Sequence, residues 1–178
     1  MIEEKLKTII RDIHDFPKPG IVFKDITPLL QHPEIVAEAV EAFAEGLKDI
    51  DFDVIAGIES RGFLFGFLLA QKLNKPFIPI RKQGKLPFHC ISESYKLEYG
   101  QATIEMHEDA FLPGTKVLVH DDLLATGGTV VAASKLIEKL GGEIAAYCFV
   151  ISLDFLNSAG RLSRFSENVI SLVRYQEE

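Results

Sequence analysis

Two adjacent aspartates followed by a run of small and hydroxyl residues form the most chemically loaded stretch of the chain: Val117-Leu118-Val119-His120-Asp121-Asp122-Leu123-Leu124-Ala125-Thr126-Gly127-Gly128-Thr129. An apolar run precedes the carboxylates and a helical pattern follows the glycines, so the order reads strand, acidic pair, loop, helix start. Small residues at Ala125, Gly127 and Gly128 let backbone N–H groups converge on a phosphate. The N-terminus of the following helix adds a favourable dipole. Thr126 and Thr129 hydroxyls supply further donors. Asp121 and Asp122 are placed to accept hydrogen bonds from sugar hydroxyls or to hold water around Mg²⁺. The stretch lacks the Gly-Lys-Ser/Thr ending of a P-loop, and it lacks the Gly-x-Gly-x-x-Gly spacing of a dinucleotide site. Taken alone it leaves a plainer alternative open, a helix cap at Thr126 beside two solvated aspartates.

Two further polar clusters follow apolar runs in the same way. Glu59-Ser60-Arg61-Gly62 comes after Val54–Ile58, and Arg81-Lys82-Gln83-Gly84-Lys85 comes after Phe77–Ile80. Ligands of open α/β sheets bind beyond the carboxyl ends of the strands. The three clusters therefore fall on one rim, cationic on two loops and acidic on the third. That mixture suits a polyanionic sugar phosphate with a divalent cation.

The elements that must position these residues alternate along the chain. Helical spacing is read over residues 2–14 and 33–49, with Pro33 in the first turn of the second helix. Pro17, Pro19 and Gly20 punctuate the chain between them, followed by an extended piece over 21–23. Strands are read at 53–58, 77–80, 102–106, 116–120, 144–151 and 169–173. Helices are read at 62–73 and 128–140, and the segment before 102 reads as a polar loop. Continuous apolar strands between helices imply an α/β fold with a Rossmann-like parallel sheet covered on both faces. The length, 178 residues, suits a single domain.

Composition narrows the function classes. The chain is 47% hydrophobic and 25% charged, ordinary for a globular protein. Its net charge of −7 argues against a nucleic-acid partner, which calls for clustered Lys and Arg. No apolar stretch approaches the ~20 residues that cross a bilayer, so no membrane partner is expected. The start, Met1-Ile2-Glu3-Glu4-Lys5, lacks the basic segment and apolar core of a signal peptide. Cys90 and Cys148 make neither a zinc-site spacing nor a disulfide framework, and a cytoplasmic location is expected.

The segment around Asp121 and Asp122 resembles the phosphoribosyl-pyrophosphate signature of type I phosphoribosyltransferases. Four more segments, Phe16–Asp25, Glu59–Gly66, Arg81–Pro87 and Tyr95–Gly100, are similar to the branch of that family that acts on adenine. The five occur in the family's order and span about Phe16 to Tyr175, nearly the whole chain. The resemblance implies a type I phosphoribosyltransferase fold over 1–178, with a small N-terminal hood within about 1–35 and a core over about 50–175. It implies transfer of a phosphoribosyl group from phosphoribosyl pyrophosphate to adenine in purine salvage, giving AMP and pyrophosphate. Mg²⁺ would be held mainly by substrate and water with Asp121 and Asp122 nearby, and the assembly would be a homodimer.

Site residues carry over on the same footing. Val22 and Lys24 would offer backbone groups to the adenine edge, and Phe23 would stack on its ring. The family often has Arg where this chain has Lys24. Arg61 would sit near the pyrophosphate, next to a Glu59–Ser60 peptide that is often cis in such proteins. Arg81, Lys82 and Lys85 resemble a basic strip for pyrophosphate, partly across a dimer interface. Residues from about Ser92 to Thr103 resemble a mobile loop in which Glu98 is the general acid/base at adenine N7 and Tyr99 covers the sugar. Asp121, Asp122 and the loop Ala125, Thr126, Gly127, Gly128 and Thr129 would bind ribose and phosphate, and Leu153 would floor the base pocket or fill the core. The transition state would be oxocarbenium-like, with inversion at the anomeric carbon.

One residue departs from the pattern. His120 precedes the acidic pair where the family usually has an aliphatic residue. Two neighbouring carboxylates would favour its protonated form. A strand-end hydrogen bond is the plainer and preferred expectation. Two rival readings remain: a phosphoribosyltransferase acting on another base, and a non-catalytic regulator built on the same fold. The hood segment and the Tyr-Lys-Leu-Glu-Tyr-Gly loop oppose the first. The acidic charge and the absence of room for a DNA-binding domain oppose the second.

Overall fold

The structure, a computed structural model, describes residues 1–97 and 100–177. In chain order its helices and strands are α1 (Ile2–Ile9), β1 (Arg11–His14), β2 (Val22–Asp25), α2 (Pro33–Leu47), β3 (Val54–Ile58), α3 (Gly62–Leu73) and β4 (Phe77–Lys82). They continue with β5 (Cys90–Leu97), β6 (Gly100–His107), β7 (Lys116–Leu124), α4 (Gly128–Lys139), β8 (Glu143–Leu153), α5 (Ala159–Leu162) and β9 (Val169–Tyr175). Seven strands form one sheet in the order β5-β6-β4-β3-β7-β8-β9. The run from β4 to β9 is parallel, and β6 and β5 join antiparallel at one edge.

The sheet is therefore mixed rather than wholly parallel. The stretch read as a polar loop before residue 102 is β5, paired with β6 from Cys90↔His107 to Leu97↔Gly100. It reads as polar because this edge strand alternates half-buried and exposed residues, so few of its side chains need to be apolar.

The first helix also ends earlier than its periodicity suggests. It stops at Ile9, and Arg11–His14 pair with Val22–Asp25 as a separate antiparallel ribbon. Ile13 fits either periodicity. The ladder and the Arg11–Asp25 ion pair, at 3.1 Å, decide for the strand.

Side-chain alternation along the parallel strands splits the interior into two cores. On β7, Leu118 joins Leu6, Phe43, Phe65 and Cys148 under α1, α2 and α3. Val117 and Val119 join Tyr147, Phe149, Leu136 and Ile137 under α4. β3 is buried at all five positions, as expected of a central strand covered on both faces. This scaffold places the carboxyl ends of β3, β4 and β7 side by side. Among the described residues no helix is long and apolar enough to cross a membrane.

Candidate active site

The rim expected from the sequence is present as one cleft of about 310 Å³. Ser60 and Arg61 enter it after β3, Lys82 from the end of β4, and Asp121, Asp122 and Thr129 from β7 and α4. Tyr95 and Ile104 of the edge hairpin close the far side. The Glu59–Ser60 peptide is cis, as the resemblance implies.

The acidic pair lies within β7 rather than beyond its end. β8 keeps pairing past it, Asp121↔Phe149 and Leu123↔Ile151, which carries the strand to Leu124. The two carboxylates consequently face different surroundings. Asp122 is 4% exposed and accepts a charge-assisted bond from Arg61 Nε at 2.5 Å. Asp121 Oδ1 accepts the Asp122 N–H at 2.8 Å. Burial first, and then the Asp122 charge, push the Asp121 carboxyl well above the usual carboxylate range, against the pull of Arg61. α3 starts tightly against this strand: a Cβ on Gly62 would lie 2.9 Å from Asp121 Oδ1 and 3.0 Å from the His120 carbonyl. The close approach requires glycine.

Ala125, Thr126, Gly127, Gly128 and Thr129 surround a smaller cavity of about 80 Å³ shared with Asp121. Gly127 caps α4 in the left-handed region, at φ 80° and ψ 0°. The first N–H groups of a helix have no intrahelical partner. An anion in this cavity would meet those of α4.

The basic strip is organised by a residue that sequence reading did not select. Glu59 accepts the Lys82 N–H at 2.8 Å and Arg81 Nε at 3.2 Å. Burial opposes its charge, but these donors hold the Glu59 carboxyl below its usual value. Arg81 also donates to the Lys85 carbonyl at 3.1 Å. Of Arg81, Lys82 and Lys85, only Lys82 lines the cleft.

On the hood side, Phe16 and Phe23 meet edge to face at 5.1 Å, and the Arg61 guanidinium lies 5.0 Å from the Phe23 ring centroid. Arg61 thus links the hood to the acidic pair. Val22 and Lys24 flank Phe23 on β2. The Lys24 ammonium bonds to Asp12 at 2.8 Å and lies 4.2 Å from the ring centroid of Tyr175 on β9, so its side chain ties the hood to the edge of the main sheet. A second cleft, of about 490 Å³, runs between Pro17, Lys18 and Ile21 of the hood and Lys96 and Leu97 of the hairpin. Glu98 and Tyr99 lie outside the described residues. Leu153, at the end of β8, is packed in the first core rather than lining the cleft.

His120 corrects the expectation of a protonated ring. Strand alternation turns its side chain to the face opposite Asp121, where it is fully buried. Its Nδ1 meets Cys148 Sγ at 3.1 Å, and its ring contacts Phe43 edge to face at 5.5 Å. Burial lowers its pKa to about 4, so the ring is neutral at pH 7. The hydrogen bond expected at the strand end is a buried one to a thiol. Sequence adjacency to two carboxylates did not bring spatial proximity.

Arg161, on α5, was also not selected from the sequence. It donates from Nη1 to the Thr126 carbonyl at 3.0 Å. No motif signals it, because it follows Thr126 by 35 residues and its short helix has no periodicity to read.

Comparison with known proteins gives the family and the fold. The family model described as phosphoribosyl transferase domain matches residues 25–166. An adenine phosphoribosyltransferase of Cytophaga hutchinsonii is 51% identical over 175 residues, covering 98% of this chain and 97% of the relative. The crystal structure of adenine phosphoribosyltransferase from Thermoanaerobacter pseudethanolicus superposes with a TM-score of 0.94 at 46% identity, covering 98% of this chain and 100% of that one. The Saccharomyces cerevisiae enzyme, complexed with an imino-altritol bisphosphate and adenine, gives a TM-score of 0.88 at 37% identity, covering 96% and 98% of the two chains.

Proposed function

The chain belongs to the phosphoribosyltransferase family, and we propose on that premise a residue-level account of how its cleft works. The reaction transfers the phosphoribosyl group from phosphoribosyl pyrophosphate to adenine, giving AMP and pyrophosphate. The observation that carries the account is the convergence of Asp121, Asp122, Arg61, Lys82 and the Ala125–Thr129 loop on one rim.

The loop and the α4 N-terminus take the 5′-phosphate, and Asp121 and Asp122 accept the ribose hydroxyls. Lys82 neutralises the pyrophosphate, with Arg81 and Lys85 on the same strip. Arg61 holds Asp122 in place and adds positive charge where the leaving group develops negative charge. Among the described residues no three His, Cys, Asp or Glu side chains cluster as metal ligands. Mg²⁺ would arrive with the substrate, with the Asp121 and Asp122 carboxylates nearby, and would supply positive charge to the departing pyrophosphate. Adenine lies against Phe23, read by backbone groups of Val22 and Lys24. Leu153 supports the pocket from the core rather than flooring it. Glu98 is the general acid/base at N7, and Tyr99 covers the sugar. The C–O bond to pyrophosphate breaks ahead of attack by N9 from the opposite face, and the hairpin excludes competing water.

A homodimer is part of this reading. Leu64, Phe67 and Leu68 on α3 are 37%, 50% and 42% exposed, with Leu30, at 42%, beside Leu68. A patch of this kind is characteristic of an interface. Free Cys90 and Cys148 suit a reducing cytosol.

The test offers adenine, hypoxanthine, guanine and uracil separately with phosphoribosyl pyrophosphate and Mg²⁺, and follows pyrophosphate release. Release with adenine alone is expected. Glu98→Gln should lower kcat by about a hundredfold or more while leaving phosphoribosyl pyrophosphate binding in place. Binding of phosphoribosyl pyrophosphate without turnover of any base would instead identify a regulator on this fold.

A further inference from the structure

α5 is a single turn set against the back of the phosphate loop. Leu162 anchors it in the second core, fully buried. Ser158, just before it, is 2% exposed and abuts Gly127: a Cβ on that glycine would lie 3.4 Å from Ser158 Cβ. From this platform Arg161 Nη1 donates to the Thr126 carbonyl at 3.0 Å. Arg161 also lines the cleft between hood and hairpin, but it does not line the cavity enclosed by Ala125–Thr129.

A trans peptide unit is planar, and its C=O and N–H point in opposite directions. Holding the Thr126 carbonyl toward Arg161 therefore turns the Gly127 N–H away from it. Gly127 stands at φ 80°, a conformation glycine enters and leaves readily. An untethered loop would sample orientations in which its N–H groups diverge. We propose that Arg161 is a positioning residue: by fixing the Thr126 carbonyl it keeps the Ala125–Thr129 N–H groups aimed at the 5′-phosphate of phosphoribosyl pyrophosphate and of AMP. This rests on the transferase reading above. Arg161 touches no reacting atom, and its effect falls on one end of the substrate.

That asymmetry defines the experiment. Arg161→Met removes the donor and keeps the aliphatic stem, and Arg161→Lys retains a cationic donor. The KM for phosphoribosyl pyrophosphate should rise about tenfold in Arg161→Met, the size of one lost charge-assisted bond. Product inhibition by AMP should weaken by a similar factor. Inhibition by pyrophosphate, the KM for adenine and the melting temperature should stay unchanged. Arg161→Lys, or free guanidinium added to Arg161→Met, should restore part of the loss. Equal weakening of AMP and pyrophosphate would overturn the proposal, because it would report only a lost positive charge; so would no change in either. Calorimetric titration of AMP and pyrophosphate makes the same distinction without turnover. An inactive wild type would count against the transferase reading alone.

Discussion

Asp121 and Asp122 sit on a strand with parallel neighbours on both sides, whereas Tyr95 sits on the outermost strand of the same sheet. The first region is fixed by close packing. Gly62 brings α3 against β7, and the His120 side chain is enclosed beneath it. The second region pairs with β6 and packs Ile91 and Tyr95 on the second core, and it adds ion pairs at the surface. Glu93 on β5 pairs with Lys139 at 2.6 Å and Lys135 at 3.3 Å, and Lys139 also reaches the Ser92 carbonyl at 3.1 Å. Those lysine side chains are 50% and 43% exposed. Surface pairs of this kind contribute about 0.2–1 kcal/mol each, far less than a packed interior contact. A phosphoribosyl-transfer site needs a floor that holds its carboxylates to within a fraction of an ångström. In the reading proposed above it also needs a cover that opens for product release, and weak surface pairs suit that second demand.

The contrast is open to attack at three points. The largest effect belongs to Gly62→Ala, whose new Cβ has no room beside Asp121 Oδ1, the His120 carbonyl and Asp121 Cα. Backbone must move, so kcat/KM should fall about a hundredfold and stability by about 1–3 kcal/mol. Steady-state kinetics with urea denaturation checks both, and an active, stable variant would show that the floor is looser than its packing implies.

Next comes pH. His120 has a folded pKa of about 4, below its ordinary value of 6.5. Between those values the unfolded chain binds the proton and the folded one does not, so stability is lost as pH falls from 6.5 towards 4. The full loss from this group is about 3 kcal/mol. His120→Leu should remove that part of the acid sensitivity when denaturation midpoints are compared at pH 7 and pH 4.5. Identical pH profiles in the two proteins would place the acid-sensitive group elsewhere.

The smallest effect belongs to the cover. Glu93→Gln should destabilise by about 1 kcal/mol or less and change kcat/KM less than about fivefold. High salt should reproduce most of that change in the wild type. A loss comparable to that of Gly62→Ala would mean that the hairpin is built into the floor.

The order of elements was legible in the sequence because it depends on short-range patterns. α3 spans Gly62–Leu73 as read, and α2 begins at Pro33 as read. The motif residues Arg61, Asp121 and Asp122 reached the cleft because they lie in or just after the carboxyl-terminal halves of neighbouring parallel strands, which face one rim. β5 was hidden because an edge strand needs few apolar residues, and β1 because four residues are too few to show a period. The short linear pattern carried the succession of most elements along the chain and the motif positions, whereas the order of strands in the sheet came from the tertiary structure. Packing alone decided that Arg61 holds Asp122, that Glu59 gathers the basic strip, that Arg161 meets Thr126 and that His120 is neutral. Each depends on which face a side chain takes and on a partner 22 to 61 residues away. Those partners meet only when the sheet and its helices close together, and no local periodicity records that closure.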